Sequence, residues 1–173
     1  MNQSLNRLNE LPADEAASEF LKCCGSKRWA QAMAKARPFE SEQTIFDEAD
    51  ALFGLLSDED WLEAFHAHPK IGEKKAAADQ SETAKKWSSQ EQSRAESAAA
   101  ETKQALSEGN REYEQRFGFI FIVCAAGKSA DEMLTMLEQR MANDPAEELR
   151  VAAEEQRKIT HLRLQKLLEF LAA

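Results

Sequence analysis

Glycine and proline are scarce in this chain, six and four among 173 residues, and histidine and cysteine number three each. With so few breakers and so much Ala, Glu, Leu, Lys and Gln, the chain reads as mostly helical. No apolar run approaches the roughly 20 residues that a membrane helix needs. No CxxC is present; Cys23, Cys24 and Cys124 are odd in number with two adjacent, which excludes a zinc-ribbon-type site and fits a reducing cytoplasm. Positive charge is also short. Twenty-two Lys and Arg stand against 31 Asp and Glu, a net charge of −9. That argues against nucleic acid as the main partner, while leaving room for a local basic pocket for a small anion. The opening "MNQSLNRLNELPADE" lacks the apolar segment of a secretory signal, and the closing "LEFLAA" lacks a prenylation or peroxisomal signal. The expectation is a cytoplasmic protein with neither membrane nor nucleic acid as partner.

What is present suits one domain. Apolar residues make up 43% and charged residues 31%, and a chain of this size buries roughly 70% of its unfolded surface. The helix signals predict an opening helix from Pro12 to about Cys24, stopped by Gly25. A second starts at Ser26 and ends at "RPF", residues 37–39. A third is capped by Ser41, and a fourth by Ser57 with Asp60. The fourth runs to His66, because Pro69 forbids continuation. A long polar helix is expected from Ser88 to about Ser107, then a break at Gly109-Asn110 and a short helix over 111–116. Ser129 with Glu132 opens a helix to about Asn143, and the last helix starts at Asp144-Pro145 and runs to about Phe170. The one dense apolar run, "FGFIFIVCAA" at 117–126, has no partner strand and reads as an extended buried segment. The fold class expected is therefore all-α, a single-domain helical bundle with one short extended segment.

Few residues invite chemistry. "AAGKS" at 125–129 resembles the end of a phosphate loop, but Ile122 stands where the pattern requires glycine, so Ser129 reads as a helix cap. "RFGFIFIV" resembles an RNA-binding strand only faintly, and the acidic charge speaks against it. His66 and His68 lie in "FHAHPKIG". No third ligand pattern supports a metal there. His66 suits a helix C-terminus, where a cation meets the dipole favourably. His68, just past the helix and held by Pro69, is the better catalytic candidate. Ser88 and Glu91 have capping-box spacing, and Glu91 and Gln92 in a first turn could face an anionic ligand. The extended segment has backbone groups that need partners, and a polar ligand could be one. Arg163, between Leu162 and Leu164, either snorkels or aims inward at an anion.

Five motifs in order complete the pattern: "RPF", "HPKIG", S-x-x-E-Q, Y-x-x-R-F-G-F-x-F-I-V-C-A, and K-I-x-x-L-R-L. Together, from about Leu8 to Leu168, they resemble the 2-oxo-4-hydroxy-4-carboxy-5-ureidoimidazoline (OHCU) decarboxylase family of urate degradation. The resemblance implies an all-helical, cofactor-free, homodimeric enzyme that converts this ureidoimidazoline to (S)-allantoin. It places the catalytic histidine at His68, with Glu91 and Arg163 as its catalytic companions. It places substrate binding at Pro69, Ser88 and Gln92, and at the backbone of Phe121, Ile122, Val123, Cys124 and Ala125, with no metal. The charged stretch 73–87 departs from the family's shorter apolar one, and a loop change is expected there. The alternative class is a non-enzymatic helical interaction module.

Overall fold

The hydroxyls of Ser26, Ser41, Ser57, Ser81 and Ser129 each set the beginning of a helix. The structure, a computed structural model, describes residues 3–72, 81–95 and 98–173. Among these the regular elements are all helical: α1 Gln3–Glu10, α2 Ala13–Cys23, α3 Lys27–Ala36, α4 Glu42–Phe53, α5 Asp58–His66, α6 Glu82–Glu91, α7 Ala100–Phe117, α8 Ala130–Arg140 and α9 Pro145–Ala172. A single 3-10 turn, Ser93–Ala95, lies between α6 and α7. Ser26 Oγ accepts from the Trp29 amide at 3.3 Å and Ser41 Oγ from that of Thr44 at 3.1 Å. Ser57 and Asp60 bond reciprocally, 3.0 and 3.3 Å, as do Ser129 and Glu132, 2.6 and 3.2 Å. Each satisfies amides that the first turn leaves without an intrahelical partner.

Several expectations fail. Ser88 opens no helix: Ser81 caps α6, its Oγ accepting from the Ala84 amide at 3.2 Å, and Ser88 lies near the other end. The charged stretch is therefore helical from Glu82 onward, while residues 73–80 lie outside the described residues. Gly109-Asn110 breaks nothing, because α7 passes through both without interruption. α7 packs on α8, and a Cβ at Gly109 would stand 2.9 Å from Leu137 Cδ2, so the glycine serves close approach. Residues 3–10 form a helix that the sequence reading did not predict, while α8 stops at Arg140 and α9 continues to Ala172.

The chain groups into two compact units, one reaching from the N-terminus to Ala64 together with Arg157–Ala173, the other Phe65–Gln156. α9 contributes to both. In the first unit, Trp29, Phe20, Met33 and Ile45 form a fully buried core. The "RPF" motif is structural there. Arg37 Nη1 donates to the Leu8 and Leu11 carbonyls at 2.7 Å each, and Asn9 exchanges two 2.9 Å bonds with the Phe39 backbone. Asp50 of α4 gathers Arg157 Nη1 at 3.0 Å and His161 Nε2 at 2.6 Å. Burial pushes the Asp50 carboxyl up, but those two partners outweigh it and hold it below the usual range. No helix among the described residues is long and apolar enough to cross a membrane.

In the second unit, Gly118 ends α7 in the left-handed region, φ +79°, and Gly127 turns the chain at φ +77° toward α8. Between them residues 121–125 are buried, as the apolar run predicts, and belong to no helix. Tyr113 packs against Phe119 and Phe121, with centroids 5.8 and 5.3 Å apart, and fixes the side-chain register of the segment.

Candidate active site

The stretch "HPKIG" follows α5. The His68 amide closes onto the Phe65 carbonyl at 3.1 Å, and the half-buried Pro69 stops the helix. Four side chains then pin the loop. His68 Nε2 meets Gln156 Oε1 at 2.7 Å, Lys70 meets Glu114 at 2.6 Å, Asn110 Nδ2 donates to the Ile71 carbonyl at 2.8 Å, and the Gly72 amide donates to Gln92 Oε1 at 3.1 Å. Gln156 is fully buried on α9. Its amide oxygen only accepts, so Nε2 of the imidazole carries the hydrogen of that bond. His68 is thus a loop residue with its ring held by a rigid helix, and a positioned histidine can carry protons near neutral pH. His66, the last residue of α5, is exposed.

Asn110→Ala tests the pinning. The buried Ile71 carbonyl loses its donor, and a loss of about 1–3 kcal/mol is expected. Thermal denaturation measures this.

Ser88, Glu91 and Gln92 come together at the C-terminal end of α6, not in a first turn. The S-x-x-E-Q spacing still brings them to one side, since positions three and four apart share a helix face. Ser88 is buried, and Glu91 and Gln92 are half-buried. At this end of α6 no free first-turn amides face an anion. Glu91 is the last residue of α6, where the helix dipole disfavours a carboxylate by about 0.3–1 kcal/mol. A negative charge in that position is poorly explained by helix stability.

Residues 121–125 supply a wall of polar backbone. Arg140 Nη1 donates to the Ile122 carbonyl, the Cys124 amide donates to Glu155 Oε2, and Lys128 Nζ donates to the Cys124 carbonyl, each at 2.7 Å. The Ile122 carbonyl and both Cys124 groups are thus engaged by the protein. Among the described residues the backbone N–H and C=O of Val123 have no hydrogen-bond partner. The Ala125 carbonyl is engaged as well, by the Lys128 amide at 3.0 Å. Burial pushes the Cys124 thiol up, with Glu155 and Glu91 adding to the rise against Lys128, so Glu91 lies within electrostatic reach of this wall.

Behind the wall lies a network that the sequence reading missed. Arg140 places its guanidinium 4.6 Å from the Phe121 ring centroid and pairs with Glu148 at 2.6 Å; Glu148 accepts also from Tyr113 Oη, and from Asn143 at 2.8 Å. Glu148, Glu155 and Gln156 are buried on the same apolar helix side as Ala152 and Ile159. The seven-residue spacing of Glu148 and Glu155 on that stripe was the available signal.

Arg163 belongs to the first unit, where it is buried and its Nη1 lies 3.4 Å from the Lys22 carbonyl. It aims inward and does not snorkel. Burial raises the neighbouring Cys24 thiol to about 11, against hydrogen bonds from Ser26 and Thr160 and the Arg163 charge, so this thiol stays protonated at neutral pH. Among the described residues no group of three His, Cys, Asp or Glu side chains is placed to hold a metal.

The chain is similar to several known proteins. A family model described as OHCU decarboxylase matches residues 9–165. The uric acid degradation bifunctional protein TTL of Arabidopsis thaliana is 41% identical over 149 residues, 86% of this chain and 46% of that protein. This chain therefore spans less than half the length of that relative. The 2-oxo-4-hydroxy-4-carboxy-5-ureidoimidazoline decarboxylase of Haloferax volcanii is 28% identical over 93% of this chain and 94% of its own. A crystal structure of OHCU decarboxylase in the presence of (S)-allantoin superposes with a TM-score of 0.74 at 41% identity, covering 87% of this chain and 97% of the other.

Proposed function

Since the chain belongs to the OHCU decarboxylase family, we propose that it removes carbon dioxide from the ureidoimidazoline and delivers (S)-allantoin, a step of urate degradation. The observation that carries this is His68, held 2.7 Å from a buried amide on a loop tied at three further points.

The substrate bears a carboxylate and a hydroxyl on one ring carbon, beside the carbon that carries the ureido group and the ring C=N. When the bond to the carboxylate breaks, its electron pair forms a double bond between the two ring carbons, and the C=N pair moves to nitrogen, which takes a proton. The enol that results gives up its hydroxyl proton, and the ureido-bearing carbon takes one. Carbon dioxide leaves, and allantoin remains. The ring is its own electron sink, so the work left to the protein is orientation, charge stabilisation and the choice of face.

In this reading His68 moves the proton and Glu91 holds a ring N–H of the substrate. Gln92, whose carbonyl oxygen is already engaged by Gly72, offers its amide hydrogens to the ureido oxygen. Pro69 and Ser88 line the site, and the backbone of Phe121 to Ala125 receives the substrate. Arg163 is assigned to the substrate's anionic group on the strength of the K-I-x-x-L-R-L motif alone. The chain acts as one catalytic domain, as a homodimer in the cytoplasm; sedimentation of the purified protein tests the dimer. The activity is tested with substrate labelled with carbon-13 in the carboxyl group. Labelled carbon dioxide released faster than from substrate alone supports the reading. Release unaffected by folded protein overturns it.

A further inference from the structure

Two consecutive residues of α9 face the two sides of the candidate site. Glu155 holds the Cys124 amide at 2.7 Å, and Gln156 holds the His68 ring at 2.7 Å. Both are buried, with exposures of 5% and 0%. Burying an amide and a carboxylate in a helix interior is costly unless each is well bonded. Apolar residues in these positions would pack as well as their neighbours Ala152, Ala153 and Ile159, which are also buried. Their polarity has a use that packing does not supply.

We infer that Gln156 is a positioning residue that fixes the tautomer of His68, holding hydrogen on Nε2 so that Nδ1 is the nitrogen that exchanges protons with the substrate. This rests on the decarboxylase reading for its purpose, but not for its geometry. A neutral imidazole has one donor and one acceptor nitrogen. An acceptor-only partner facing Nε2 selects the donor there and leaves the lone pair on Nδ1. The hydrogen bond also sets the ring plane relative to α9, the helix whose Glu155 fixes the Cys124 amide. One helical register thereby places both the proton carrier and the backbone wall. The substrate must then meet Nδ1, and the Nε2 hydrogen stays on the protein throughout the cycle.

The test reads the ring directly. Long-range proton–nitrogen correlation spectra of nitrogen-15-labelled protein, taken where His68 is neutral, distinguish the two tautomers, and a His68→Gln sample assigns the signals. The wild type is expected to show the Nε2–H form. Gln156→Met keeps the volume and removes the acceptor, so His68 is expected to relax to a mixture of forms. Turnover should fall by up to about 10²-fold, the scale of a small misplacement of a reacting group, with KM little changed. Gln156→Glu keeps an acceptor and is expected to restore the Nε2–H signature. A wild type in the Nδ1–H form, or a Gln156→Met protein with unaltered ring signals and turnover, overturns the inference. Because the spectra need no substrate, a wild type without decarboxylase activity would sink the proposed function and leave this test intact.

Discussion

Replacement of His68 by alanine is expected to lower kcat by about 10²–10⁴-fold, the usual worth of a positioned acid or base. KM is expected to change little, because the imidazole is assigned to proton movement rather than to holding the substrate. The loop should survive the change, since Lys70, Ile71 and Gly72 keep their partners on Glu114, Asn110 and Gln92. Gln156 Oε1 loses its partner, at a cost of about 1–3 kcal/mol, so a melting curve accompanies the kinetics. A folded His68→Ala protein with wild-type turnover would remove His68 from the chemistry. His66, exposed at the end of α5, provides the control: His66→Ala should leave turnover unchanged.

Glu148→Ala should be the most damaging change to stability in the second unit. The carboxylate is fully buried and accepts from Arg140, Tyr113 and Asn143, with the guanidinium 2.6 Å away. Removing it strands a buried cation, and breaking such a pair typically costs about 3–5 kcal/mol. For a chain of this length that is a fall in Tm on the order of 10 °C. Arg140→Met combined with Glu148→Leu removes both charges and should recover much of the loss. It should not recover turnover, because the Ile122 carbonyl still lacks the Arg140 donor that it meets at 2.7 Å. Stability and activity would part company in that variant, and calorimetry beside kinetics would show it. Equal recovery of both would mean that the network serves the fold alone.

What could be read from the sequence divides along a physical line. Caps at Ser26, Ser41, Ser57 and Ser129 were legible because a hydroxyl that bonds to the backbone two or three residues on is local chemistry. The stop at Pro69 and the burial of the apolar run up to Ala125 were legible from local sequence too. Ser88 was misread because S-x-x-E has two uses. A capping box needs the serine at a helix start, and only the placement of Ser81 shows that the start had passed. Gly109-Asn110 was misread because each residue has a tertiary task. Gly109 admits Leu137, and Asn110 reaches 39 residues back to Ile71. Glu148, Glu155 and Gln156 were missed because carboxylates and amides on helices usually face water, and only their position on the apolar stripe of α9 marked them out. The motif "HPKIG" itself was legible as a unit. That its residues hold four separate partners required the structure.

The most direct test of the account is the circular dichroism of allantoin as it forms. Substrate is generated in situ by enzymatic oxidation and hydrolysis of uric acid, with and without this protein, and with the His68→Ala variant beside it. The account predicts a rapid signal of the single sign belonging to (S)-allantoin with the wild type, and a slow drift to racemic product with neither protein nor His68. A flat signal from folded wild-type protein would contradict it, and the helical scaffold would then be read as an interaction module.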